Sequence, residues 1–216
     1  MISLRVPHLL SMLIIVAATA CAPQPQNPPP PPAMNAAGFI MHDPSGMRFP
    51  DRVDDFRRGR MIRYDKEGRD VSAGYDSVNP AMPIVATVYV YPAPPLTSIG
   101  SSAEVIASAR ERLCQDEFRR RKAELVAYHA DARLIAEQDI SLLRGYRQFP
   151  GKQARYEFSG SIRGVQSQIS SELYVFCYVG EKWAVEYRFS WPRDVAAAPS
   201  VAAFIADLPW TILAAP

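Results

Sequence analysis

Between Trp183 and Trp191 every second residue is large and apolar. Trp183, Val185, Tyr187, Phe189 and Trp191 alternate with Ala184, Glu186, Arg188 and Ser190. A period of two is the signature of a β-strand with one face packed and the other turned to water. Pro192 ends the run, because it cannot donate to a ladder. A second segment, Ile84–Tyr91 (IVATVYVY), is β-branched or aromatic throughout and apolar on both sides, which suits a central strand covered on both faces.

Around these two strands the remaining elements fall into order. Met61–Asp65 and Val71–Asp76 flank the polar turn Lys66-Glu67-Gly68-Arg69 and read as a hairpin. Ser101 or Ser102 can cap a helix running to about Ala130, with Glu104 in its first turn. Val105, Ile106, Ala109 and Leu113 lie on one side of that helix, and Cys114, Phe118, Leu125 and Tyr128 continue the stripe, which drifts and takes in Arg121. Leu134–Tyr146 is ambiguous, with Gly145 and Pro150-Gly151 marking its end. Gln153–Ser161 and Gln166–Val179 form a hairpin about Arg163-Gly164, and a short helix is expected over roughly Ser200–Asp207. Strands, a long helix, further strands and a short helix predict an α+β fold: an antiparallel sheet packed between the long helix and the C-terminal one, an α/β/α sandwich.

The first 45 residues do not belong to that body. Leu9–Ala20 is apolar apart from Ser11 and Thr19, and follows a segment carrying one charge, Arg5. Twelve residues span about 18 Å as a helix, too little for a hydrocarbon core of about 30 Å, but the right length for the apolar region of a signal peptide. Ala18-Thr19-Ala20-Cys21 resembles the lipobox of bacterial lipoproteins, in which the Cys receives a diacylglycerol and becomes the new N-terminus; Leu is usual where Ala18 stands. The same letters satisfy the A-x-A rule, which would release a soluble protein. The Cys at the lipidated position and the low-complexity stretch directly after it favour the anchor. Residues 22–37 include Pro28–Pro32, which lack backbone donors and predict an extended polyproline II spacer. The expected organisation is a signal peptide at 1–20, a lipidated Cys21 and proline-rich linker over 21–45, and one domain over 46–216.

With Cys21 taken by lipid, Cys114 and Cys177 remain as a pair in a compartment that permits disulfides. Cys114 is on the apolar side of the helix, and Cys177 shares a strand face with Leu173, Val175 and Val179. A three-residue loop at Gly180–Lys182 pairs Val179 with Trp183 and puts Cys177 on the face of Val185 and Tyr187. A bond between the two sulfurs is expected if the aliphatic face of that strand meets the helix; otherwise both are buried thiols.

No pattern in the chain carries catalysis. H-E-x-x-H, paired C-x-x-C, G-x-S-x-G and phosphate-cradling glycine loops are all missing. His42 and His129 read as surface residues. Asp51, Asp54, Asp55, Asp65, Glu67, Asp70 and Asp76 are interleaved with Arg52, Arg57, Arg58, Arg60, Arg63, Lys66 and Arg69, the texture of surface ion pairs. Arg119–Lys122 (RRRK) reads as a solvated helix face, since Glu117 and Glu124 interrupt it. A formal charge of +2 gives no reason to expect nucleic acid. Tyr174, Phe176 and Tyr178 share one strand face and form either a platform for a sugar or peptide, or core beneath a second helix layer.

The strand pair before IVATVYVY, the long helix, the strands ending in KWAVEYRFSWP and the last short helix resemble the PsbP/DcrB-like α/β sandwich over residues 46–210. That resemblance implies an exported or lipid-anchored binding or assembly factor. The sequence-level expectation is therefore a non-enzymatic cell-envelope lipoprotein, held at the outer membrane by its N-terminal lipid and facing the periplasm, with a protein partner, no nucleic acid and no cofactor. A periplasmic small-ligand or glycan-binding protein with an aromatic cleft is the alternative, and a hydrolase with an acidic site a third.

Overall fold

The computed structural model describes residues 38–97 and 100–211. The segments read as signal peptide, lipidation site Cys21 and most of the linker lie outside them. β1 (Phe39–His42) and β2 (Met47–Pro50) form a small antiparallel hairpin, and β1 falls in the segment assigned to the linker.

The body is one antiparallel sheet of eight strands. In spatial order these are β3 (Arg52–Val53), β4 (Phe56–Arg63), β5 (Val71–Ser77), β6 (Val85–Pro92), β10 (Trp183–Pro192), β9 (Val165–Val179), β8 (Arg147–Ile162) and β7 (Arg133–Arg144). The IVATVYVY segment supplies β6, which is flanked by β5 and β10 as its two-sided apolarity requires. Both expected hairpins form. At the tip of β8–β9, Arg163 and Gly164 take φ of 52° and 82°, the pair of left-handed residues that a two-residue hairpin turn needs.

The α+β sandwich expected from the element order is not what forms: the described residues are mostly β, 50% strand against 22% helix. Two segments account for the difference. The ambiguous Leu134–Tyr146 stretch is almost all strand, and β8 runs through Pro150-Gly151 instead of ending there. Pro150 precedes the start of the β8–β9 ladder at Lys152–Val175, so β8 is unpaired on that side and a missing donor is tolerated.

Helix α1 (Ala103–Tyr128) is capped by the Ser102 side chain, which accepts from the Val105 amide. Its buried residues are Cys114, Glu117, Phe118 and Leu125, whereas Val105 is exposed. Burial therefore begins at Cys114 and follows the later part of the stripe, Cys114, Phe118 and Leu125, and not its first part, Val105 to Leu113. Phe118 and Leu125 pack on Ala154, Tyr156, Phe158, Leu173 and Val175 of one sheet face. Helix α2 (Ala198–Asp207) covers the other face. There Phe204 meets Phe56, Tyr75 and Phe189 edge-on, and Trp210 donates its indole N–H to the Tyr187 hydroxyl.

The second face of β10 is not wet. Glu186 is fully buried beneath α1. It accepts a hydrogen bond from the Tyr91 hydroxyl at 3.1 Å and forms ion pairs with Arg188 and with Arg121, whose Nε lies 3.3 Å away. Arg121 also binds Glu117 at 2.7 Å and Glu124 at 3.0 Å. Burial pushes the Glu186 carboxyl up, against the pull of Arg188 and Arg121. The RRRK segment is thus neutralised: Arg119 pairs with Asp116, Arg120 with Glu117, and Lys122 with Glu137.

Candidate functional site

Cys114 and Cys177 are joined as a disulfide, with Cα atoms 5.8 Å apart. The register that permits it differs from the simple reading. Trp183 pairs with Val179 as expected, but Val185 then pairs with Phe176, so Cys177 and Tyr178 together oppose Ala184. This is a β-bulge, and Tyr178 carries it with φ of 58°, a conformation costly for a bulky side chain. Cys177 keeps the α1 face that it shares with Leu173 and Val175, opposite Val185 and Tyr187, and the extra residue turns Val179 to the α2 face.

The same bulge divides the aromatic trio. Phe176 is buried in the α2-side core, edge-on to Tyr187 and Trp210. Tyr174 is half-buried on that face and hydrogen-bonds to Glu172. Tyr178 stands on the α1 side, where its hydroxyl donates to the Pro94 carbonyl and the Arg110 guanidinium lies 5.2 Å from its ring centre. Tyr174, Phe176 and Tyr178 therefore do not make one platform.

What the bulge and disulfide do make is the wall of a cleft of about 420 Å³ between α1 and the sheet. Its polar lining is Arg110 and Glu111 from α1, Asp139 from β7 and Lys152 from β8. Lys152 has a side chain only 8% exposed, and its ammonium bonds to Glu111 and Asp139, each at 2.8 Å. Burial disfavours that charge, but the bonds to Asp139 and Glu111 outweigh it and hold the amine above the usual lysine range. A lysine kept charged in this way is no general base. Arg110 differs: its Nε is shielded from solvent and has no hydrogen-bond partner among the described residues.

Sequence reasoning missed Arg110, Glu111, Asp139 and Lys152. One signal was available: Arg110 precedes Cys114 by one helical turn, so a bond from Cys114 to Cys177 places Arg110 beside the end of β9.

A second feature is the outer edge. β7 is a twelve-residue strand with no neighbour on its far side among the described residues, whereas the other end of the sheet closes with the two-residue β3. Leu134, Ile135 and Leu143 are exposed on β7, and Tyr146 just beyond it is 91% exposed.

The remaining candidates resolve into structure. His42 is buried, not on the surface as expected. Its Nε2–H donates to the Gly68 carbonyl at 2.7 Å, and its Nδ1 accepts from the Ser45 hydroxyl at 2.6 Å, which in turn accepts from the Met47 amide. His129 stacks on Phe158. Asp65 accepts from the amides of Arg69 and Asp70 and so fixes the turn between β4 and β5, while Asp51 pairs with Arg58. Among the described residues no group of three metal-ligating side chains occurs, and no helix is long and apolar enough to cross a membrane. No protein-family model matches the chain, and no curated protein matches it significantly.

Proposed function

We propose that this chain is a cell-envelope lipoprotein without catalytic activity of its own, anchored through Cys21, which holds an extended segment of another protein along edge β7. The observation that carries the reading is where the charges of β7 go. Arg133 pairs with Glu157, Glu137 with Lys122, Asp139 with Lys152, and Arg144 donates to the carbonyls of Ile205 and Ala206. Edge strands are commonly guarded by charges directed outward. Here each of the four charged side chains has a partner within the domain, although those of Arg133 and Asp139 remain 70% and 84% exposed. The open main-chain groups are left beside Leu134, Ile135 and Leu143, the combination that strand addition uses.

A second copy of the chain fits less well. Full-length antiparallel self-pairing sets Arg133 opposite Arg144, and a shift of one residue sets Glu137 opposite Asp139; like charges directly across a ladder are unfavourable. The address rests on the apolar segment, the small residues before Cys21 and the proline spacer after it.

Photocrosslinkers placed in turn at Leu134, Ser141 and Leu143, and at Ile62 near the opposite edge as control, test the docking in intact cells. The expected result is one heterologous protein crosslinked from β7 and not from Ile62, through a segment contacted at alternate residues. Equal capture from both edges, or capture of the chain itself, sinks the docking claim. A Cys21→Ser variant should leave the membrane fraction; retention there sinks the anchor.

A further inference from the structure

We propose that the cleft beside the disulfide binds a small organic monoanion, an apolar body bearing one carboxylate, with Arg110 as the group that grips the carboxylate. The cleft holds two cations in contrasting states. Lys152 is neutralised by Glu111 and Asp139. Arg110 makes no ion pair among the described residues, is held against the Tyr178 ring, and keeps an Nε–H shielded from water without an acceptor. A buried donor left unsatisfied is costly, and a guanidinium fork matches a carboxylate with two parallel hydrogen bonds.

The charge of the ligand follows from the same four groups. Lys152 is already offset by Glu111 and Asp139, so among the described residues Arg110 carries the one positive charge of the four without an ion-pair partner, and it can pair a single negative charge. A dianion such as phosphate would meet the two flanking carboxylates at close range. The body of the ligand follows from the rest of the lining, where Ala107, Ile140, Pro150 and the disulfide are apolar. About 420 Å³ is within the size of small-molecule sites. The bulge that turns Tyr178 to the α1 side is what places an aromatic face under Arg110, so the strained backbone serves the site as well as the disulfide. This site is separate from docking at β7, and its test needs no partner protein.

The experiment is an NMR titration of the purified, disulfide-bonded protein with 3-phenylpropanoate and with 3-phenylpropan-1-ol, which has the same body without the charge. Saturable shifts of the Arg110 side-chain N–H and the Tyr178 ring are expected from the acid. The alcohol should bind about tenfold more weakly or worse. Arg110→Gln should remove the difference between the two, and Arg110→Lys, which keeps the charge but not the fork, should restore part of it. Acid and alcohol binding alike to the wild-type protein, shifts that never saturate, or full preference for the acid in folded Arg110→Gln would each overturn the assignment. The wild-type comparison alone decides the matter if neither variant folds.

Discussion

Gly151 of β8 lies directly under the ring of Phe176 on β9: a Cβ built on the glycine would stand 2.5 Å from both Cδ1 and Cε1 of that ring and 3.0 Å from the Val175 carbonyl oxygen. The ring cannot swing away, because it is buried against Tyr187 and Trp210. The glycine is therefore required for close approach and not for a turn. Gly151→Ala should lower stability by about 2 kcal/mol or more, in the range of overpacked cores. Trimming the ring should relieve the clash, so Gly151→Ala with Phe176→Leu should cost less than the sum of the two single changes. Urea unfolding of the four proteins measures this, and simple additivity would mean that the sheet absorbs the methyl elsewhere.

The disulfide joins residues 63 positions apart. Chain entropy sets its contribution at about 4 kcal/mol as an upper value. The paired Cys114→Ser, Cys177→Ser variant should lose most of that. Its effect should also be local. Ala103–Leu113 contains no buried residue, so the bond is the first firm attachment that this end of α1 has to the sheet. Amide exchange in Ala103–Leu113 should accelerate in the variant more than exchange in the second half of the helix, which Phe118 and Leu125 hold. Uniform acceleration along α1 would contradict this division.

Strand texture and turn chemistry were legible wherever a pattern was strong: IVATVYVY as a central strand, the Arg163-Gly164 hairpin, the Ser102 cap, and the Cys114–Cys177 pair. The fold class was not, because β7 lacks alternation. An edge strand with little burial on either face has no reason to show a hydrophobic period, so its sequence looked irregular. The buried face of α1 was misread for a related reason. Glu117 is buried and ion-paired to the half-buried Arg121, and an apolar stripe cannot reveal such a pair. The polar half of β10 looked solvated because Glu186 finds its partners on α1 and β6, distant in sequence. The bulge at Tyr178 is equally silent in the sequence, and with it the cleft.

Arg121, half-buried on the long helix, and Glu186, fully buried on β10, tie the helix to the central strands. Arg121→Met leaves the buried carboxylate with Arg188 and Tyr91 as partners, and loss of one member of such a set costs about 3 kcal/mol. Glu186→Gln removes the charge that Arg121 offsets while keeping an acceptor for the Tyr91 hydroxyl. Arg121→Met should therefore cost much less in the Glu186→Gln background than alone. A double-mutant cycle by urea unfolding reads the coupling, and an equal cost in both backgrounds would show that Arg121 acts through Glu117 and Glu124 instead.

His42 gives the fold a dependence on pH. Burial lowers its pKa below 6.5, although the Gly68 carbonyl and the charges of Asp43 and Asp65 favour the proton. The neutral ring is also the form that the hydrogen bonds require, since Nδ1 must accept from Ser45. In the window between the lowered folded value and 6.5, the unfolded chain binds more protons than the folded one. The stabilisation from His42 is thus fully present above pH 6.5 and is lost as pH falls through the folded value. His42→Gln should be less stable than wild type at pH 8 by about 2 kcal/mol, for two lost buried hydrogen bonds. That deficit should shrink as the pH is taken down to about 5. Comparing the two proteins at each pH isolates this residue, because His129, also lowered by burial, and Glu186, raised by it, are present in both. Thermal unfolding across the range gives the difference directly, and a deficit that stays constant from pH 8 to pH 5 would show that the ring takes up its proton equally in the folded and the unfolded protein, with no lowering by burial.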